Sequence, residues 1–109
     1  MKIEHNKIIA HYGEHISVLY PVHGTLLSGY ARIVCNLRGK SFFSDFDLET
    51  DEYDNTIRLV ITEELNPGRY YYEIVGTTKT GSRVTLTKKP LCLEVLPSLD
   101  KILENKESI

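Results

Sequence analysis

Apolar and polar residues alternate along most of the chain, with the period of two residues that is typical of β-strands. The clearest runs are "EHISVLYP", "YARIVCNL", "TIRLVIT" and "RYYYEIVG", and turn residues such as glycine, proline and asparagine separate them. About seven such short runs in the first 96 residues predict an all-β fold, an immunoglobulin-like β-sandwich. The residues predicted to face inward are Ile16, Val18, Tyr20, Ala31, Ile33, Cys35, Leu37, Ile57, Leu59, Ile61, Leu91, Leu93 and Val95.

Several segments between these runs have a weaker pattern. In "SFFSDFDL", Phe43 is predicted to lie on the opposite face from Phe42 and Phe46. Residues 49–55, "ETDEYDN", are acidic and are predicted to form a connecting loop, and "TTKTGSR" predicts a hairpin turn. Pro90 interrupts the last apolar run, which favours an edge strand or a bulge there.

The three adjacent tyrosines in "LNPGRYYYEI" divide between the two faces of one predicted strand. Tyr70 and Tyr72 share a face with Ile74, whereas Tyr71 points the other way with Glu73 and Val75. A buried tyrosine usually carries its hydroxyl to a backbone acceptor, and immunoglobulin-type sandwiches have such a tyrosine near the start of their penultimate strand. Tyr70 and Tyr72 are therefore predicted to be core residues. Tyr71 is predicted to be either an exposed side chain with no binding role or a residue that contacts a partner.

The predicted domain has a segment at each end with its own pattern. The sandwich is expected over residues 1–96, with residues 1–12 as an extra strand or an arm. In the tail, residues 97–109, Ser98 can cap a short helix in which Leu99, Ile102 and Leu103 share one face. These three residues are predicted partner contacts if the helix docks into a groove. The alternatives are a helix packed on its own sandwich and a frayed end.

Composition narrows the classes of function. The 109 residues are enough for one domain; 41% are hydrophobic and 26% charged, as in ordinary soluble proteins. A net charge of −2 and a pI near 6.1 argue against a nucleic-acid partner. No apolar run approaches a membrane span, and the charged N-terminal segment has no signal-peptide core, so synthesis in the cytoplasm and no membrane partner are expected.

Motifs for catalysis and for cofactor binding are missing from the sequence. The four histidines are His5, His11, His15 and His23. A helical His-x-x-x-His metal pair is not expected, because Gly13 lies between His11 and His15 and a strand follows. Cys35 and Cys92 are expected to be free, buried or half-buried thiols, with a disulfide as the alternative. The acidic segment lacks the glycine and ligand register of an EF-hand loop. A protein that is not an enzyme and has no metal or cofactor is therefore expected.

Three segments together resemble a pattern in small immunoglobulin-like domains of tailed-phage virions. They are "GEHISVLYP", "GYARIVCNLRG" and "TIRLVITEELNPGRYYYEIVGTTKTGSRVTL". The resemblance covers about residues 13–96, and its most specific part is Thr62 to Ile74, with the Leu-x-Pro-Gly-x-Tyr-x-Tyr-x-Ile order. The chain departs from the pattern at Thr80-Gly81, where Asp-Gly is commoner, and at Val22–Ser28, which is a longer insertion.

The resemblance implies a non-enzymatic structural protein of a tailed-phage virion, made in the host cytoplasm and found in the particle. A free-standing chain of 109 residues favours a capsid accessory or head–tail module, a decoration protein, over a tail or baseplate component. Its expected partner is then a major capsid or tail protein, with homo-oligomers possible. A second alternative is an adhesion or carbohydrate-binding module, against which the lack of a signal peptide and of tryptophan counts.

Overall fold

The computed structural model describes residues 1–4, 6–24 and 26–99 of the chain. Over these ranges the protein forms ten β-strands and one short 3-10 helix, Leu27–Gly29. The strands are β1 (Lys2–Glu4), β2 (Lys7–His11), β3 (Ile16–Pro21), β4 (Tyr30–Gly39), β5 (Phe42–Asp47), β6 (Glu49–Asp51), β7 (Thr56–Ile61), β8 (Gly68–Thr78), β9 (Arg83–Thr85) and β10 (Leu91–Leu96).

The strands form two sheets. The larger sheet has the order β1-β2-β10-β8-β4-β5, and β9 pairs with the C-terminal half of β8. The smaller sheet has the order β3-β7-β6. Strand β2 runs parallel to β10, and the other pairs are antiparallel. Of the described N-terminal segment, β2 lies in the larger sheet and places Ile8 and Ala10 in the core. The all-β prediction is confirmed.

A core of apolar side chains from both sheets holds the fold together. The inward sets predicted on β3, β4, β7 and β10 are buried or half-buried, with the exception of Ala31. Ala31 is exposed because the β4–β8 register shifts between Tyr30 and Arg32, which breaks the alternation at that position. The main cluster consists of Ile8, Ala10, Ile16, Val18, Cys35, Leu37, Leu59, Ile61, Leu65, Tyr70, Tyr72, Leu93 and Val95.

Tyr70 fixes the corner that precedes β8. Its hydroxyl donates to the backbone carbonyl of Asn66 at 2.7 Å, which is the backbone acceptor expected from the sequence. Its ring meets the ring of Phe42 edge-on, with centroids 5.6 Å apart. The ring also covers Gly39, where an added Cβ would lie 2.7 Å from its carbons. The side chain therefore joins the start of β8 to the β4–β5 turn.

Tyr72 lies deeper in the core and links the two sheets. Its side chain is 2% exposed, and its hydroxyl makes a hydrogen bond with the hydroxyl of Tyr20 on β3. The hydrogen-bond partner of Tyr72 is therefore a side chain of the facing sheet and not a backbone acceptor. Burial raises the pKa of both phenols, so both remain protonated at neutral pH. The prediction that Tyr70 and Tyr72 are core residues is confirmed.

Two predictions about local structure are wrong. Residues 49–51 of the acidic segment form β6, because they pair with β7 rather than remaining in a loop. Pro90 marks neither an edge strand nor a bulge within a strand. It precedes β10, which lies between β2 and β8. Val75 shares the face of Tyr71 and Glu73, as predicted, because the β4–β8 register is continuous through these positions, but its side chain is buried.

Two further predictions are confirmed. Phe42 and Phe46 pack against the core whereas Phe43 faces outward. The turn between β8 and β9 closes around Thr80-Gly81, where the Thr78 amide donates to the Ser82 carbonyl at 2.8 Å. The outward residues of β4, β5 and β8 therefore lie on the same face of the larger sheet.

Asn55 fixes the long β3–β4 connection to the β6–β7 turn. Its side-chain carbonyl accepts from the Leu27 amide at 2.9 Å, and its side-chain amide donates to the Val22 carbonyl at 2.7 Å. The residue has a φ of 54°, a left-handed conformation that asparagine adopts more readily than most residues. The insertion at Val22–Ser28 is thus anchored at one end of the sandwich.

Candidate interaction surface

Tyr71, the predicted partner contact on the sheet, lies in a row of side chains that crosses the outer face of the larger sheet. The strand register aligns Phe43 on β5 with Arg38 on β4, Arg38 with Tyr71 on β8, and Tyr71 with Cys92 on β10. Side chains at directly paired positions point to the same face of a sheet. We call Phe43, Arg38 and Tyr71 the aromatic row.

The aromatic row presents large side chains to solvent from the middle and the edge of the sheet. Phe43 is 72% exposed and Tyr71 is 48% exposed. The guanidinium carbon of Arg38 lies 3.6 Å from the centre of the Phe43 ring, a cation–π contact. Aromatic residues and arginine are the residue types that most often dominate protein–protein binding energy. The composition of the row therefore resembles that of protein interfaces.

Hydrogen bonds hold Arg38 in place. One of its terminal nitrogens lies 2.9 Å from the carboxylate of Asp45 and donates to the carbonyls of Leu37 at 3.0 Å and Ser44 at 3.1 Å. Asn36 also donates to Asp45, at 2.7 Å. The bonds from Arg38 and Asn36 lower the pKa of Asp45. Because these partners lie on rigid strands, the guanidinium is oriented before any partner binds.

Charged groups continue the surface from Tyr71 toward the other edge of the sheet. Glu94 on β10 has a carboxylate oxygen 2.6 Å from the amine of Lys7 and 3.8 Å from the guanidinium of Arg69. The contact with Lys7 lowers the pKa of Glu94. The pKa of Arg69 is raised, mainly through its interaction with the Tyr71 hydroxyl. The aromatic row therefore has a polar, ion-paired border, as the rim of an interface does.

The two thiols are free, as expected, and they differ in their surroundings. Cys35 is buried in the core, and burial raises its pKa to about 12, so the thiol stays protonated and inert. Cys92 is half-buried within the outer face, beside Tyr71. In the described part of the chain, no three His, Cys, Asp or Glu side chains are grouped as metal ligands would be. Among the same residues, no helix has the length and apolarity that a membrane span needs.

The predicted contacts in the tail are not brought together with Tyr71. Leu99 is 70% exposed at the end of the described chain, and Ile102 and Leu103 lie outside the described residues. Phe43 is the surface residue that sequence reasoning did not nominate. The signal in the sequence is that Phe43 lies on the opposite face of its predicted strand from Phe42, so that one of the two phenylalanines faces outward. Its pairing with Arg38, and hence with Tyr71, depends on register that short alternating strands do not reveal.

Comparison with known proteins gives no relative from which a role could be transferred: no family model matches the chain, and neither does any curated protein sequence.

Proposed function

We propose that this chain is an immunoglobulin-like module of a tailed-phage virion, a non-enzymatic accessory protein that docks on the capsid or the head–tail region. In immunoglobulin sandwiches, strands B, E and D lie in one sheet and C, F and G in the other. Assigning β3, β4, β6, β7, β8 and β10 in chain order to B, C, D, E, F and G gives both sheets that membership. The strand order supports the immunoglobulin-like part of the proposal.

The observation that carries the proposal is the corner from Leu65 to Tyr70. Leu65 is buried, Gly68 begins β8, and the Tyr70 hydroxyl returns to the Asn66 carbonyl at 2.7 Å. This arrangement matches the tyrosine corner of immunoglobulin-type sandwiches, and the Leu-x-Pro-Gly-x-Tyr segment that forms it is the one that resembles phage virion domains. The segment that resembles the family thus forms a feature characteristic of the fold.

The aromatic row supplies the contact in this proposal. A capsid or tail presents many identical sites, so a modest patch on each copy is sufficient when copies also contact one another or bind at several points. Phe43, Arg38 and Tyr71 lie on strands and need little ordering on binding. No nucleic acid, membrane or cofactor takes part in this mechanism.

The deciding experiment is to locate the protein in purified particles of the phage or prophage that encodes it. Quantitative mass spectrometry of whole particles, and of separated heads and tails, gives its copy number in each fraction. A capsid accessory protein is expected in the head fraction at a copy number that follows the capsid lattice. Recovery in the tail fraction would favour the tail or baseplate alternative, and absence from washed particles would refute the virion role.

The contribution of the tail is tested on the same particles with a chain that ends at residue 96. We expect this truncated protein to retain its melting temperature, because the described core residues all precede residue 97. Its copy number is expected to fall if Leu99 and the residues after it contact the partner. A truncated protein incorporated at the normal copy number would remove the tail from the interface and leave the aromatic row as the candidate.

A further inference from the structure

A groove runs along the side of the sandwich where two strand edges have no neighbouring strand. In the described chain, β5 pairs with β4 on one side and with no strand on the other. Strand β7 pairs with β3 along its whole length, but β6 covers only Thr56–Arg58 on its other side. The backbone of Leu59–Ile61 is therefore uncovered beside the groove. Uncovered strand edges present donors and acceptors that can pair with an added strand.

Apolar side chains from both sheets line this groove. Phe46 and Leu48 come from the segment that crosses from the larger to the smaller sheet, and Val60 and Ile61 come from β7. Phe46, Leu48 and Val60 are half-buried, whereas Ile61 is buried. An extended segment in the groove could pair its backbone with a strand edge and cover these residues with alternate side chains.

The charged side chains that line the groove favour a positively charged segment. Three carboxylates line it, those of Asp47, Glu49 and Glu63, against the guanidinium of Arg58. Asp47 is paired with Arg32, so Glu49 and Glu63 leave the rim with a net negative charge. Glu63 accepts a hydrogen bond from the Ser44 hydroxyl of β5 at 2.6 Å, which spans the groove between the two sheets. A segment that carries lysine or arginine beside its apolar residues would complement this negative rim.

We propose that this groove accepts an extended segment of another protein, in which apolar residues alternate with lysine or arginine, as an added strand on β5 or on Leu59–Ile61. The groove lies at the edges of the sheets and is separate from the aromatic row on the outer face of the larger sheet. The proposal therefore concerns a second contact surface and does not depend on the virion role.

The test uses the full chain, labelled with nitrogen-15, and two synthetic peptides of about eight residues. In the first, valine alternates with lysine, and in the second, glutamate replaces every lysine. We expect the lysine peptide to bind about tenfold more tightly at low salt and to slow amide exchange in β5 or at Leu59–Ile61. No binding of the lysine peptide at about 1 mM would overturn the proposal. Equal affinity for the two peptides, or shifts confined to the aromatic row, would also overturn it.

A charge reversal of the rim provides the matched variant. In Glu49→Lys/Glu63→Lys, the preference is expected to invert, so that the glutamate peptide binds more tightly than the lysine peptide. The control, Glu73→Lys on the outer face of the larger sheet, is expected to keep the original preference. An unchanged preference in the double variant would overturn the charge assignment. The oligomeric state is measured first, because a dimer that protects the same amides would assign the groove to a second copy and refute the proposal.

Discussion

Tyr71 and Tyr72 are adjacent on β8, yet they belong to two different parts of the molecule. Tyr72 lies between the sheets and makes a hydrogen bond with Tyr20 on the facing sheet. Tyr71 lies on the outer face between Arg38 and Cys92, half covered by its neighbours. The inner position uses the bulk of the ring to fill the core. The outer position leaves the ring available to a partner. Residue type alone therefore does not assign a role to a tyrosine on a strand.

The largest effect is expected from Tyr72→Ala. Truncation of a buried aromatic residue leaves a cavity and removes its packing, so we expect a loss of about 3–5 kcal/mol in the free energy of unfolding. Urea denaturation followed by circular dichroism measures the loss, with Leu19→Ala on the outer face of the smaller sheet as the control. A Tyr72→Ala protein as stable as the wild type would contradict the inner assignment.

The second prediction separates the hydroxyl of Tyr72 from its ring. Tyr72→Phe and Tyr20→Phe each leave one phenol without its partner, and we expect each to lower stability by about 1–2 kcal/mol. The double variant removes both hydroxyls and is expected to be about as stable as either single variant. A double-mutant cycle in denaturant measures this coupling. Strict additivity of the two single changes would show that the two hydroxyls do not interact.

These inner residues are also the ones that the sequence predicts best. Every second position in "RYYYEIV" and "TIRLVIT" holds a large apolar residue, and a one-residue slip would move these core side chains to the wrong face. The predictions for Ala31 and for residues 49–51 are wrong because regular alternation of apolar residues fails at these positions. A register shift interrupts β4 at Ala31, and the polar strand β6 has no apolar alternation to reveal it. The hydrogen-bond partner of Tyr72 could not be predicted either, since it belongs to the facing sheet.

The outer face is less predictable for a physical reason. Solvent tolerates most side chains there, so its residues do not follow a constraint that a pattern could reveal. The outward position of Tyr71 followed from alternation, but its alignment with Arg38 and Phe43 needed the pairing of three strands. Val75 shows the same limit. Alternation places it on the outer face, yet its side chain is buried in the folded protein.

The third prediction concerns the charged border of the outer face. The pKa of Glu94 is lowered in the folded protein, mainly by Lys7, so its ion pair stabilises the fold above the ordinary carboxylate pKa near 4.5. That contribution is lost as the pH falls through the lowered value. We therefore expect Glu94→Gln to reduce the decline in unfolding free energy between pH 6 and pH 3. Glu52→Gln, on the exposed turn after β6, is the control and should retain the wild-type decline.

An unaltered pH profile in Glu94→Gln would mean that the Lys7 contact does not stabilise the folded state. The effect is expected to be smaller than those of the inner tyrosines, because the pair lies at the surface, where water and salt screen it. Raising the salt concentration should reduce the difference between Glu94→Gln and the wild type. Neither outcome for Glu94→Gln would affect the predictions for Tyr72, since Glu94 and Tyr72 lie on opposite faces of the larger sheet.

The smallest effect on stability, and the most informative one for function, is expected from Tyr71→Ala. Its side chain is half exposed and fills no core position, so the free energy of unfolding should change by less than about 0.5 kcal/mol. If the aromatic row contacts a virion partner, the copy number of this variant in particles should nevertheless fall. Leu19→Ala, an equally exposed apolar residue on the opposite sheet, should be incorporated normally.

Each combination of stability and incorporation then assigns Tyr71 to one part of the molecule. Normal stability with reduced incorporation would place it in the interface with Phe43 and Arg38. Reduced stability would place it with Tyr70 and Tyr72 as a structural residue, in spite of its exposure. Normal stability with normal incorporation would refute its role as a contact. A Phe43→Ala variant would then decide whether the rest of the row binds without it, because Phe43 is the most exposed member.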